Sequence, residues 1–144
     1  MAAKVLNDEL YEQVELLSEA GNEFADDEEY DAAIEKFKEA LDIIPQPKSA
    51  YEGAAWLYSS IGDLYFLKDD FENAAENFAA SLNCEDGKTS AFAQMRLGQS
   101  LLEMKDEDKA FEHLYKAYRL GGKPVFAEED SKYLSYLSKR GAKL

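Results

Sequence analysis

Apolar residues recur every three or four positions through the first part of the chain: Leu10, Val14, Leu17, Ala20, Gly21 and Phe24, then Tyr30, Ala33, Ile34, Phe37, Ala40 and Leu41. That period is helical, and it predicts two amphipathic helices joined by the acidic turn Asp26-Asp27-Glu28-Glu29. Asn7 suits the N-cap of the first helix, with Asp8 and Glu9 placed to complement its dipole. Pro45 and Pro47 stop the second. Small residues (Ala20, Gly21, Ala33, Ala40) stand where two helices must approach closely, and Phe24, Tyr30 and Phe37 fill the space between them.

The same pattern returns twice. Tyr58, Ile61, Gly62, Tyr65, Ala74, Phe78 and Ser81 hold the same offsets around Gly62, with Lys68-Asp69-Asp70 as the inner turn. Asp86-Gly87 is predicted to end the second helix of this pair. Around Gly98 stand Leu97, Leu101, Ala110, Leu114 and Ala117, with Gln94 in place of a large apolar residue and Asp106-Glu107-Asp108 as the turn. Gly121-Gly122 and Pro124 close that helix. The three glycines lie 41 and 36 residues apart, and the extra residues fall between pairs, at 45–54 and 85–89. Beyond Pro124 the pattern changes. Asp130 is predicted to cap a last helix whose Tyr133, Leu134, Tyr136 and Leu137 cover the third pair, while Lys132, Lys139, Arg140 and Lys143 face solvent.

Counted from Gly21, the chain has a large residue four before (Leu17) and an aromatic three after (Phe24). It then has alanine at twelve (Ala33), an aromatic at sixteen (Phe37), alanine at nineteen (Ala40) and proline at twenty-four (Pro45). This order resembles the tetratricopeptide repeat (TPR), a helix–turn–helix unit of about 34 residues. The resemblance implies an all-α fold, a TPR α-solenoid of three helix-turn-helix repeats with a C-terminal capping helix. It would form a single domain over residues 1–144, with repeats at about 14–47, 55–88 and 91–124 and a cap at about 125–144.

Charge narrows the range of partners. The net charge is −14, which argues against nucleic acid or an anionic membrane as the ligand of a basic surface. Residues 1–45 hold three Lys against fourteen Asp and Glu, so −11, whereas residues 89–144 hold ten Lys and Arg against eight acids, so +2. A basic protein would relieve the repulsion at the N-terminal end. Cys84 is the single cysteine, so no intramolecular disulfide forms, and a cytoplasmic home is expected. The stretch MAAKVLNDELYEQ lacks the apolar run of a signal peptide, and no segment approaches the roughly 18 apolar residues that span a membrane.

No catalytic, cofactor or metal set is expected. His113 stands alone as a histidine. Gly87-Lys88-Thr89 ends like a phosphate loop, but Leu82 stands where that loop needs its first glycine. The acidic turns lack the alternation of a calcium loop.

Resemblance to the repeat family assigns an inner, concave face residue by residue. It comprises Glu15, Ser18, Glu19, Asn22 and Asp26 in the first repeat, Trp56, Ser59, Ser60, Asp63 and Phe66 in the second, and Phe92, Met95, Arg96, Gln99 and Glu103 in the third. The candidate partner-binding set is therefore Glu15, Glu19, Asn22, Asp26, Trp56, Ser60, Asp63, Phe66, Phe92, Met95, Arg96 and Gln99. Trp56 and Phe66 either anchor a partner or pack locally, against each other or under the connection at residues 45–54. Family members that clamp the acidic C-terminus of heat-shock chaperones use two Lys, two Asn and one Arg on this face. The matching residues here are Ser18, Asn22, Ser60, Phe92 and Arg96, with both lysines replaced and Glu15 and Glu19 close by, so an acidic peptide would be repelled.

Two partner-binding roles follow. The tail PVFAEEDSKYLSYLSKR and the acidic charge resemble small acidic repeat proteins encoded beside bacterial polymorphic toxins, which implies an immunity protein that neutralises a basic toxin by covering it. The alternative is a chaperone-like or assembly adaptor that holds a peptide of its partner in the groove. A monomer is expected, with a homodimer open.

Overall fold

The computed structural model describes residues 2–144 and places seven α-helices among them. They are α1 (Asp8–Asp26), α2 (Tyr30–Ile43), α3 (Ala54–Leu67), α4 (Phe71–Leu82), α5 (Ala91–Glu103), α6 (Glu107–Gly121) and α7 (Lys132–Lys139). Short 3-10 turns lie at Lys48–Ala50 and Lys123–Phe126. The first six pack as pairs, α1 on α2, α3 on α4 and α5 on α6, and the contacts of α2 with α3 and α4 with α5 carry the stack onward.

A small residue facing a large one sets the geometry of each pair. A Cβ placed on Gly21 would lie 2.7 Å from the Phe37 ring, one on Gly62 would lie 3.0 Å from Phe78, and one on Gly98 would lie 2.6 Å from Leu114. Phe37, Phe78 and Leu114 are all buried. The glycine admits the partner helix close enough for the large side chain to lie across its backbone.

The turn inside each pair repeats as well. Glu28, Asp69 and Lys105 are non-glycine residues with φ of 59°, 59° and 66°. The following amide in each case reaches back five residues, Glu29 to the Phe24 carbonyl, Asp70 to Tyr65 and Asp106 to Leu101, each at 2.9 Å. This is the left-handed helix ending that satisfies otherwise orphaned carbonyls.

Asn7 caps α1 as its sequence position predicts, its side chain accepting from the Leu10 amide at 2.9 Å. The connection between α2 and α3 is tied down at several points. Lys48 Nζ donates to the carbonyls of Leu41 and Ile44 at 2.6 and 2.7 Å, which places a cation on the C-terminal end of α2. Lys4 donates to the Ala50 carbonyl at 2.7 Å, and Glu52 donates back to Lys4 at 2.8 Å. This ladder seats Leu6 in the core.

The end of α4 differs from expectation. The helix stops at Leu82, with Asn83 as its cap, before Asp86-Gly87 is reached. Gly87 instead folds back against the helix, where any Cβ would lie 2.0 Å from the Ser81 carbonyl and 2.9 Å from Ala55. Ser81, in the place of the second alanine, is buried and bonds the Ala55 carbonyl and the Ser59 hydroxyl, both at 2.8 Å.

The last helix is short. Asp130 accepts from the Lys132 amide at 2.9 Å, and Tyr133 and Leu137 of α7 are buried together with Phe126, Met95 and Leu114. Two of the exposed cations of this segment carry ion pairs, Lys132 with Glu103 at 2.6 Å and Arg140 with Asp108 at 2.8 Å.

Candidate functional site

The inner helices α1, α3 and α5 bring the sequence-predicted residues to one face, but that face has two unlike halves. In the N-terminal half, Glu15, Glu19, Asn22 and Trp56 border a cavity of about 400 Å³. Its floor is apolar, made by Leu6, Val14 and Leu57, and Tyr11 and Glu52 complete the rim. Trp56 stands at the edge with 49% of its surface exposed, its ring set edge-on to Phe37 with centroids 5.6 Å apart. Its ring partner is thus Phe37, while Phe66 pairs with Phe71. Asn22 also borders a second cavity of about 420 Å³, with Asp26, Ser60 and Asp63. The Ser60 hydroxyl is turned back to the Trp56 carbonyl at 2.8 Å. On its other side Trp56 shares a third cavity of about 270 Å³ with Phe92.

Electrostatics in this half are one-sided. Among the described residues no Lys or Arg forms an ion pair with Glu15, Glu19, Asp26 or Glu52. Helix α1 contains seven Asp and Glu and no Lys or Arg, so the helix cannot neutralise itself.

The C-terminal half is filled by the chain's own residues. Arg96 lies between two rings, its guanidinium carbon 4.6 Å from the centroid of Phe66 and 5.2 Å from that of Phe92. Its Nε donates to Asp63 Oδ1 at 2.9 Å, and its Nη1 donates to Gln99 Oε1 at 2.8 Å and to Glu129 Oε1 at 2.5 Å. Gln99 Nε2 donates to the same Glu129 oxygen at 2.9 Å. The segment before α7 thus inserts a carboxylate into the groove. Next to it the Lys132 ammonium, and then the Tyr133 hydroxyl, hold the Glu103 carboxyl below the usual carboxylate range by hydrogen bonding.

Two expected groove residues are corrected by this closure. Met95 is 1% exposed and Gln99 is 0% exposed, so neither presents a surface to a partner. Phe126, Tyr133 and Leu137 cover Met95, and Glu129 with Arg96 covers Gln99. Phe66 is half-buried by Arg96 and by an edge contact with Phe71 at 5.4 Å. Phe92 keeps 41% of its surface exposed.

Sequence reasoning missed Tyr11, Glu52 and Glu129. Tyr11 was accessible to it, because it lies one and two helical turns before Glu15 and Ser18 on the same face. Glu52 and Glu129 come from irregular segments, where no period points to a face.

The remaining chemistry-bearing side chains are structural. Burial pushes the Cys84 thiol up to about 11, and Sγ rests 3.3 Å from the Ala80 carbonyl, so the reactive thiolate is suppressed. His113 Nδ1 lies 2.7 Å from Gln94 Oε1, which answers for the polar residue at an otherwise apolar position, and burial lowers its pKa. Among the described residues no three His, Cys, Asp or Glu side chains converge as a metal site requires, and no helix is long and apolar enough to cross a membrane.

Three helical pairs built on a small-for-large exchange, a common inner turn and a terminal helix over the last apolar face define a tetratricopeptide-repeat solenoid. Solved structures agree. The TPR domain of Arabidopsis OM64 matches with a TM-score of 0.71 at 17% identity, over 94% of this chain and 99% of that one. The second TPR domain of human RPAP3, solved with the HSP70 peptide SGPTIEEVD, matches with a TM-score of 0.69 at 19% identity, over 93% and 99%. The Yersinia enterocolitica type III secretion chaperone SycD, solved with a peptide of the translocator YopD, matches with a TM-score of 0.71 at 15% identity, over 89% and 92%. At these identities the likeness is one of fold. No protein-family model matches the sequence, and no curated protein does.

Proposed function

We propose that this chain is a non-enzymatic protein-binding module whose concave groove holds a basic segment of a partner protein. The observation that carries the reading is the open N-terminal half of that groove. Half-exposed Trp56 stands among carboxylates that, among the described residues, no Lys or Arg ion-pairs. Aromatic anchors in partly apolar cavities dominate protein interfaces, and unpaired carboxylates around them favour a cationic partner and speed its arrival. The fold is in keeping with this role, since both RPAP3 and SycD were solved with peptides of other proteins. An acidic peptide such as the one on RPAP3 suits this groove poorly. The cation that would receive it, Arg96, already faces Asp63 and Glu129.

A basic toxin neutralised by being covered in the cytoplasm is one partner of this kind, and the net charge of −14 supports that form. The tail that carried the toxin-immunity resemblance has structural work in closing the groove, so the charge is the stronger support. The chaperone-like alternative is favoured by the likeness to SycD and differs in its salt dependence. Affinity capture from the source cell at low and high salt, repeated with Trp56→Ala and with the Glu15→Lys/Glu19→Lys double variant, separates the two. A basic partner released by salt and lost on charge reversal supports the inhibitor. A salt-resistant partner lost only on Trp56→Ala supports the adaptor, and a partner indifferent to both variants overturns the groove reading.

A further inference from the structure

The cavity beside Trp56 contains one feature that the groove reading does not require. Ser18 lines it, is only 9% exposed, and has no hydrogen-bond partner among the described residues. Helical serines commonly satisfy themselves on the carbonyl four residues back; Ser18 makes no such bond, and its hydroxyl is left to the cavity. Here the position offers an acceptor that no described residue uses.

The surroundings specify what would use it. Val14 and Leu57 supply apolar floor, Glu15 and Glu19 stand one turn apart on the α1 rim, and Glu52 faces them from the α2–α3 connection. An apolar floor beneath a ring of carboxylates fits a side chain with a hydrocarbon stem and a cationic head. Trp56 adds an aromatic wall, the best ring for attracting a cation. An acidic side chain would meet three carboxylates, and an aliphatic one would leave Ser18 and those carboxylates desolvated and unpaired.

We propose that this cavity is a receptor for a single lysine or arginine side chain of the partner. Its stem lies on Val14 and Leu57, and its head is shared by Ser18 Oγ and the Glu15, Glu19 and Glu52 carboxylates. The proposal rests on the groove-binding reading and names the side chain that reading leaves open. It makes the acidic α1 face a specificity device rather than a merely solvated surface. A partner would be selected by one cation at a fixed place, beyond any general attraction between opposite charges.

Trp56 is the sole tryptophan of the chain, so its emission reports on the site directly. The probes are the N-acetyl, N-methylamide derivatives of lysine, arginine and norleucine, titrated at constant ionic strength and followed by Trp56 fluorescence and by amide NMR shifts. Saturable changes with the two cationic probes are expected, centred on Ser18, Trp56 and Leu57 and about tenfold tighter than with norleucine, the value of one charge-assisted hydrogen bond. Ser18→Ala and Glu15→Gln/Glu19→Gln should each reduce that preference several-fold while leaving the norleucine response in place. Equal responses to lysine and norleucine would overturn the assignment. So would shifts spread evenly over every acidic surface, the turn at Asp27–Glu29 included. Either result, with partner capture still abolished by Trp56→Ala, removes the receptor and leaves the groove; loss of Trp56 sensitivity in capture removes both.

Discussion

Gly21, Gly62 and Gly98 occupy equivalent positions, yet they differ in how much room each has to spare. At Gly98 a Cβ would approach Leu114 Cγ to 2.6 Å and the Leu114 backbone nitrogen to 2.9 Å, so a backbone would have to move. At Gly62 its three nearest neighbours are all atoms of the Phe78 ring, at 3.0–3.2 Å. Gly98→Ala should therefore cost about 1–3 kcal/mol through overpacking. Gly62→Ala should lie near neutral, because a helical alanine regains about 1 kcal/mol over glycine. Equal losses in urea unfolding would refute the distinction. His113 supplies a second residue-scale prediction. Burial lowers its pKa from the ordinary 6.5, so the folded chain favours the neutral ring. As pH falls through 6.5 the unfolded chain takes up a proton that the folded chain resists, and stability drops; above 6.5 the contribution is fully present. The stability difference between the native chain and His113→Asn should thus shrink on acidification below 6.5. A proton NMR titration of this sole histidine should give a midpoint under 6.5.

At the scale of elements, α1–α6 were legible because their information is periodic. A buried position recurs every three or four residues, and glycine or alanine marks each close approach, so spacing alone located the helices and the inner face. The Trp56 neighbourhood was legible for the same reason, since Glu15, Glu19 and Trp56 all sit on helices. The closure of the other half was not. Glu129 lies in an irregular segment, and its meeting with Arg96 spans 33 residues, a pairing no local pattern encodes. Nor does sequence reveal that Met95 would be covered by α7 rather than by a ligand. The closure itself is testable. Arg96 keeps Asp63 when Glu129 is removed, whereas removing Arg96 takes the ion-pair partner from both Asp63 and Glu129. Glu129→Ala should cost about 1–3 kcal/mol, and Arg96→Ala should cost more, because it unpairs both carboxylates and uncovers the Phe66 and Phe92 rings. Denaturant midpoints in the reverse order would show that Asp63 and Glu129 are held by something other than the guanidinium.

For the whole molecule the decisive quantity is the gradient of charge along the stack. Residues 1–45 carry −11 and residues 89–144 carry +2, so repulsion is concentrated where the chain offers its partner surface. Like charges three and four apart on a helix each cost a few tenths of a kcal/mol. On α1 Asp8, Glu12, Glu15, Glu19 and Glu23 form one such row. In a solenoid each unit contacts only its neighbours, so such a penalty stays local instead of being shared through a single core. The first pair should therefore open at lower free energy than the third, which is held down by α7 and the Arg96 cluster. Salt discriminates this from a uniformly marginal fold. Raising ionic strength from about 10 mM to about 100 mM shortens the screening length from about 30 Å to about 10 Å. Amide exchange in α1 and α2 should then slow by a larger factor than exchange in α5 and α6. A gain spread evenly over all helices would mean that the chain opens only as a unit and that its charge gradient has no local consequence. A gain confined to the first pair would mean that the acidic face is held in a destabilised state which a cationic partner, by neutralising it, would at once bind and stabilise.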